Sequence, residues 1–183
     1  EWSSSNTKRE IDPSVVVIGR HSRDSDVKWP EDKEQLLSVY PESEKIKVNI
    51  LGGAQTPKKT LGYLPDNWNV YNFGEISPQD FLKKLDVFVY YTHSEWIESF
   101  GRVIIEAMAM GLPVILPPTY KSLFDESVIY ANVDEVVKYV DELRTDLTFR
   151  NEMVSKGNNF VRTHFSYDTH RFRVESIISG KGF

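Results

Sequence analysis

Residues 87–117 read VFVYYTHSEWIESFGRVIIEAMAMGLPVILP. Val87–Thr92 is a β-branched and aromatic run of a length suited to a buried strand. Phe100–Gly111, FGRVIIEAMAMG, has helical apolar spacing and ends at a glycine, the residue most often found just past a helix. Pro113–Pro117 is another short apolar run. Strand, helix and strand in that order predict a parallel crossover unit.

The pattern repeats on both sides. Upstream, VVVIGR (Val15–Arg20), KVNILGG (Lys47–Gly53) and WNVYNFG (Trp68–Gly74) read as three more strands. Between them lie a short helix in EDKEQLLSVY closed by Pro41, and a helical turn over 56–63. Ser77-Pro78 opens a further helix with serine as N-cap and proline in the first turn. Downstream, SVIYA gives a sixth strand, and residues 133–176 are mostly helical with a break near Ser166-Tyr167-Asp168. The fold class predicted is α/β: a Rossmann-like, doubly wound parallel sheet of about six strands with helices on both faces. Ligands of such sheets bind beyond the carboxyl ends of the strands, where the strand order reverses.

The whole chain sets outer bounds. Its 183 residues suffice for one domain with a full core. It has no cysteine, which excludes thiol nucleophiles and cysteine-held metal sites and is compatible with the cytosol. A net charge of −5 argues against broad binding to nucleic acid or anionic membranes. No apolar run reaches the ~20 residues of a membrane span, and residues 1–13 lack the apolar segment of a signal peptide. Residues 1–13 read as a linker or truncated end, and 14–180 as the folded domain.

Several motifs are missing or incomplete. The glycine fingerprint of a nicotinamide site is absent. Gly53, Lys59 and Thr60 have P-loop spacing, but Lys58 replaces the second glycine and Pro57 removes an amide. His21, His93, His164 and His170 show no metal-ligand spacing and read as surface or hydrogen-bonded histidines. Glu95 and Glu98 imitate a glycosidase pair, although their closeness in one loop reads as a polar rim. Trp68, Tyr71 and Phe73 read as core packing on the third strand.

The richest segment is the one quoted first. Taking the helix to begin near Phe100, the amides of Phe100, Gly101 and Arg102 lack intrahelical partners and form an anion site with the helix dipole. Glu106 lies among Val103, Ile104, Ile105, Ala107, Met108 and Met110, so its carboxylate needs a partner. A ligand's vicinal hydroxyls would serve, as would an internal arginine or a backbone amide. Arg20 follows the first strand, and Arg23 and Lys28 follow in the next loop. They are suited to neutralising a pyrophosphate, or to pairing with Asp24 and Asp26 on a solvated loop.

In this order, strand-Gly-Arg, strand-Gly-Gly, N-V-x-x-F-G and S-x-x-x-E-S-F-G-x-x-x-x-E-A-M-A-x-G-x-P-V resemble the retaining GT-B glycosyltransferases of family 4, the glycosyl transferases group 1. The likeness runs from about Val15 to Ile178 and covers the C-terminal, donor-binding half of that fold. It implies that Glu98, the first glutamate of E-x7-E, faces the donor sugar and the reacting centre as the catalytic residue, in a positioning and electrostatic role. Ser99, Phe100, Gly101 and Arg102 then supply the loop and helix start whose amides hold sugar hydroxyls and the distal phosphate. Glu106 binds the ribose hydroxyls, Arg20 holds the pyrophosphate, and Lys28 is its partner, with Arg23 as competitor across a longer loop than the family's. The base meets backbone near Asn72–Glu75. After the fifth strand this chain has PPTYKSLFDESVIYA in place of the family's glycine-rich stretch, so no contacts carry over there.

The function this resemblance implies is transfer of a glycosyl group, with retention, from a nucleoside-diphosphate sugar to a saccharide or glycolipid acceptor, in polysaccharide or glycoconjugate synthesis. Cations and a helix N-terminus would stabilise the leaving diphosphate. No cofactor and no divalent metal are then expected, and no D-x-D pair is present. The acceptor side belongs to an N-terminal domain for which 183 residues leave no room, so the chain alone is expected to be a poor catalyst. The expected setting is the cytoplasm, with peripheral contact at the inner membrane face in a longer protein. The alternatives are a sugar-nucleotide epimerase of the same fold and a non-catalytic nucleotide-sugar binding module. A phosphorylase lacks a convincing pyridoxal lysine.

Overall fold

The computed structural model describes residues 14–96 and 100–179. Six strands form one sheet: β1 (Val16–His21), β2 (Ile46–Leu51), β3 (Trp68–Tyr71), β4 (Val87–Val89), β5 (Val114–Leu116) and β6 (Ile129–Tyr130). Their order is β3-β2-β1-β4-β5-β6, and every pairing is parallel. The chain winds outward from β1 to β3, then crosses over to β4 beside β1. The order therefore reverses between β1 and β4, and the crevice of this fold lies at their carboxyl ends.

Eight α-helices lie among the described residues, five between successive strands and three after β6. They are α1 (Lys33–Val39), α2 (Gln55–Leu61), α3 (Pro78–Leu82), α4 (Arg102–Ala109), α5 (Lys121–Phe124), α6 (Val136–Thr145), α7 (Leu147–Phe165) and α8 (Tyr167–Ile178). All six residues of β1 are buried, as a central strand covered on both faces requires. Val16 and Ile18 join one core with Leu36 and Val39 of α1 and Val136 and Val140 of α6. Val17 faces the other way and joins Phe81, Phe88, Ile104 and Met108. This parity along β1 decides where Arg20 and His21 point.

Local caps explain the helix starts. Ser77 Oγ accepts from Asp80 N at 3.1 Å, with Pro78 as the first helical residue. Asp32 accepts from Gln35 N at 2.9 Å to start α1. Ser166 is extended (φ −70°, ψ 158°) and its Oγ accepts from Thr169 N at 3.1 Å, which makes the break between α7 and α8.

Two expectations are corrected. Phe73 lies beyond the end of β3 and is 78% exposed, so it is not core. Helix α4 starts at Arg102 rather than Phe100, because Gly101 sits in the left-handed region at φ +64° and acts as N-cap. A Cβ at Gly101 would come within 2.8 Å of the Phe124 ring, so this turn is closed to other residues on two counts.

Candidate functional site

The site grows from three segments at the carboxyl side of the sheet: the end of β1 with the loop after it, the loop after β4, and the first turn of α4. On α4, Ile104 N and Ile105 N both donate back to Gly101 O, at 2.9 and 3.2 Å. The amides freed by the cap are therefore those of Arg102 and Val103, shifted by one to two residues from where the sequence places them.

Glu106 lies one helical turn on from Arg102 and is 9% exposed. Its Oε1 is 3.3 Å from Arg102 Nε, and its Oε2 is 3.4 Å from His21 Nε2. Burial pushes the Glu106 carboxyl above the usual carboxylate range, while Arg102 pulls against that shift. The internal-arginine partner weighed in the sequence is thus real, and a histidine joins it. Arg102 itself keeps 80% of its side chain exposed.

His21 is the residue that sequence reasoning missed. It ends β1 on the Val17 face, packs edge-on to Phe81 and Phe88, and is buried. Burial above all, and the charges of Arg20 and Arg102, push its imidazole down to about 4. It is therefore neutral at neutral pH, and its contact with Glu106 is not an ion pair. Nε2 has no hydrogen-bond partner of good geometry among the described residues. Strand alternation sets residue 21 on the face that α4 covers, but only once the strand runs through His21 and not, as the sequence suggested, to Arg20.

Arg20 is placed differently from the expectation that it faces a ligand. Strand β1 continues through His21, so Arg20 is still inside the sheet, on the Val16–Ile18 side, with 0% exposure. Its guanidinium carbon lies 4.1 Å from the Trp29 ring centroid and 4.7 Å from that of Tyr90. Nη1 donates to Tyr91 O at 2.8 Å and Nη2 to Ser22 Oγ at 2.9 Å. Arg20 thereby ties the loop after β1 to the end of β4.

The loop after β1 is fastened at further points. Asp24 accepts from Gln55 N, from Thr56 N at 3.3 Å and from Trp29 Nε1 at 3.0 Å. Asp26 accepts from Thr56 Oγ1 at 3.1 Å. These aspartates thus serve the start of α2. A carboxylate now stands where a P-loop would hold phosphate, which removes that reading. Gly52 fits this packing, since a Cβ there would lie 1.9 Å from Ser22 O.

Lys28 ends a single 3₁₀ turn, Asp26–Lys28, with Nζ 4.2 Å from the Trp96 ring centroid. His93 N donates to Val27 O at 3.2 Å, and Ser94 N to Glu31 Oε1 at 3.0 Å, so the loops after β1 and β4 are tied together. Arg23 is exposed. Phe100 is 55% exposed and meets Phe165 edge-on at 5.6 Å. Glu98 and Ser99 lie outside the described residues, so the Glu95–Glu98 pair is not described either. The structure brings Arg102, Glu106 and His21 together beside the Gly101 turn. Among the described residues, no three His, Asp or Glu side chains are grouped as metal ligands.

A parallel six-stranded sheet with a helix N-terminus, a buried carboxylate and an exposed guanidinium at its crossover defines a Rossmann-like domain suited to an anionic, hydroxyl-bearing ligand. The glycosyl transferases group 1 family matches residues 12–146, and the chain belongs to that family. No curated protein is significantly similar to it in sequence. Among solved structures, Anabaena Alr3699/HepE in complex with UDP and glucose superposes with a TM-score of 0.69 at 17% identity, over 91% of this chain and 49% of that one. TarM superposes at 0.70 and 18% identity, over 94% of this chain and 36% of that one. WaaG, a glycosyltransferase involved in lipopolysaccharide biosynthesis, gives 0.63 and 15%, over 93% and 48%. The shared fold is the GT-B half expected from the sequence, and this chain spans half or less of each of these proteins. Among the described residues, no helix is long and apolar enough to cross a membrane.

Proposed function

We propose that this domain binds a nucleoside-diphosphate sugar at the β1/β4 crossover, and that the enzyme containing it transfers the glycosyl group with retention to a saccharide or glycolipid acceptor. The carrying observation is Glu106: a buried carboxylate held at a ligand-facing helix start, with a pKa pushed upward. Burying such a charge costs stability unless a ligand or partner uses it. Vicinal hydroxyls of the ribose complete its acceptor sites. HepE and S. aureus TarM, which share the fold and were solved in complex with UDP, support a nucleotide ligand.

In this reading the Gly101 turn lets the distal phosphate approach the free amides of Arg102 and Val103. Negative charge grows on the leaving diphosphate as the glycosidic C–O bond breaks. The helix N-terminus and nearby cations, Lys28 among them, stabilise that charge without a divalent metal. Glu98 faces the sugar and positions the reacting centre. The acceptor is held by the rest of the longer enzyme, and glycoconjugate or polysaccharide assembly is its setting. Titrating a panel of UDP-, GDP- and ADP-sugars by calorimetry, with and without a chelator, tests the reading. One sugar nucleotide should bind in preference, with affinity unchanged by chelation. No binding by any of them overturns the reading.

A further inference from the structure

Two arginines compete for the phosphate, and the geometry separates them. The guanidinium of Arg20 has 0% exposure, its Nη atoms are committed to Tyr91 O and Ser22 Oγ, and its faces are covered by Trp29 and Tyr90. An anion could reach it only by dismantling that cage. Arg102 is the opposite. It is the first residue of α4, and its side chain is 80% exposed.

Its Nε pairs with Glu106 Oε1 one turn on, at 3.3 Å, and Glu106 also lies 3.4 Å from the buried His21. Fixing a guanidinium through Nε leaves the Nη1–Nη2 edge pointing away from the anchor. That edge is the planar fork that pairs with two phosphate oxygens. Neither Nη atom of Arg102 has a partner among the described residues. The free amides of Arg102 and Val103 lie at the same helix end, so backbone and side-chain donors converge on one place.

We propose that the side chain of Arg102, anchored on Glu106, is the cation that grips the distal phosphate of the bound nucleotide, and that Arg20 holds the adjoining loops instead. This deepens the reading above and rests on it. Glu106 then has two tasks: one oxygen orients Arg102, and its remaining acceptor capacity meets ligand hydroxyls.

The test titrates the 183-residue chain with inorganic pyrophosphate, with UDP, GDP and ADP, and with the nucleoside of whichever diphosphate binds best. Arg102→Leu should weaken both pyrophosphate and the diphosphate about tenfold or more, while nucleoside affinity stays unchanged. Arg102→Lys, which keeps the charge but not the fork, should fall between. Each variant should still unfold in one cooperative transition, and Arg102→Lys, which keeps a cation beside Glu106, controls for stability lost in Arg102→Leu. Wild-type binding with no loss in Arg102→Leu overturns this inference alone. Absence of binding by the wild type to every diphosphate overturns the underlying reading, and this inference with it. Equal loss of nucleoside affinity would also sink it, since the effect would then not lie at the phosphate.

Discussion

Two regions on either side of the β1/β4 crossover each hold an arginine, and they use it in opposite ways. Around Arg20 the arrangement is closed: aromatic rings cover the guanidinium, and its Nη donors end on Tyr91 O, Tyr40 Oη and Ser22 Oγ, while Nε is buried without a partner among the described residues. Around Arg102 the arrangement is open, with a mostly exposed cation, a half-used carboxylate and helix amides that no acceptor among the described residues takes. A buried polar group fully satisfied stabilises and specifies a structure, whereas one left partly satisfied raises its energy. The contrast separates what holds the crevice in shape from what is available to a ligand.

The largest effect should come from breaking the closed region. Arg20→Met removes the hydrogen bonds to Tyr91 O, Ser22 Oγ and Tyr40 Oη together with the ring contacts, and strands Tyr91 O in the interior. Its cost should be about 3–5 kcal/mol, in the range for breaking a buried charged network. Denaturant unfolding measures it. A variant of unchanged stability that no longer binds nucleotide would reverse the assignment of the two arginines.

This contrast also shows what the sequence made legible. Short β-branched runs separated by turns and capped helices marked the six strands, and the ordered motifs from the first strand to Val114 pointed to the family. What stayed hidden depended on where strand β1 ends. One more residue of strand turns Arg20 inward and brings His21 to Glu106, and no local signal at Gly19-Arg20-His21 separates a strand that stops at Arg20 from one that runs through His21. The fate of Asp24 and Asp26 was equally hidden. Their partners are backbone and hydroxyl groups of α2, some thirty residues away in the chain, and an amide leaves no trace in residue identity. Phe73 was misplaced for a similar reason, since β3 stops at Tyr71.

His21 links the two regions and gives the next largest effect. Its folded pKa of about 4 lies below the ordinary imidazole value of 6.5, so the unfolded chain takes up the proton first as the solution is acidified. The stability it allows is complete above about pH 6.5 and is lost as pH falls toward 4, by up to about 3 kcal/mol. Thermal melts of the wild type between pH 7 and 4 should show this acid loss, and His21→Leu should flatten it. Equal slopes in the two proteins would mean that His21 is not held neutral against Glu106 and the phenylalanine rings.

The smallest effect sharpens the comparison most, because its sign differs between affinity and stability. Glu106→Ala removes a carboxylate whose pKa burial has raised, a group that costs the fold energy at neutral pH. Nucleotide affinity should fall by about 1–3 kcal/mol, through lost charged hydrogen bonds and a loosened Arg102. Stability should stay level or rise, as expected where a strained site is kept for function. Calorimetry and denaturant unfolding on the same variant separate the two readouts. A fall in stability with no change in affinity would move Glu106 into the closed region beside Arg20. The opposite outcome places it with Arg102, at a helix start whose charges are arranged for a ligand.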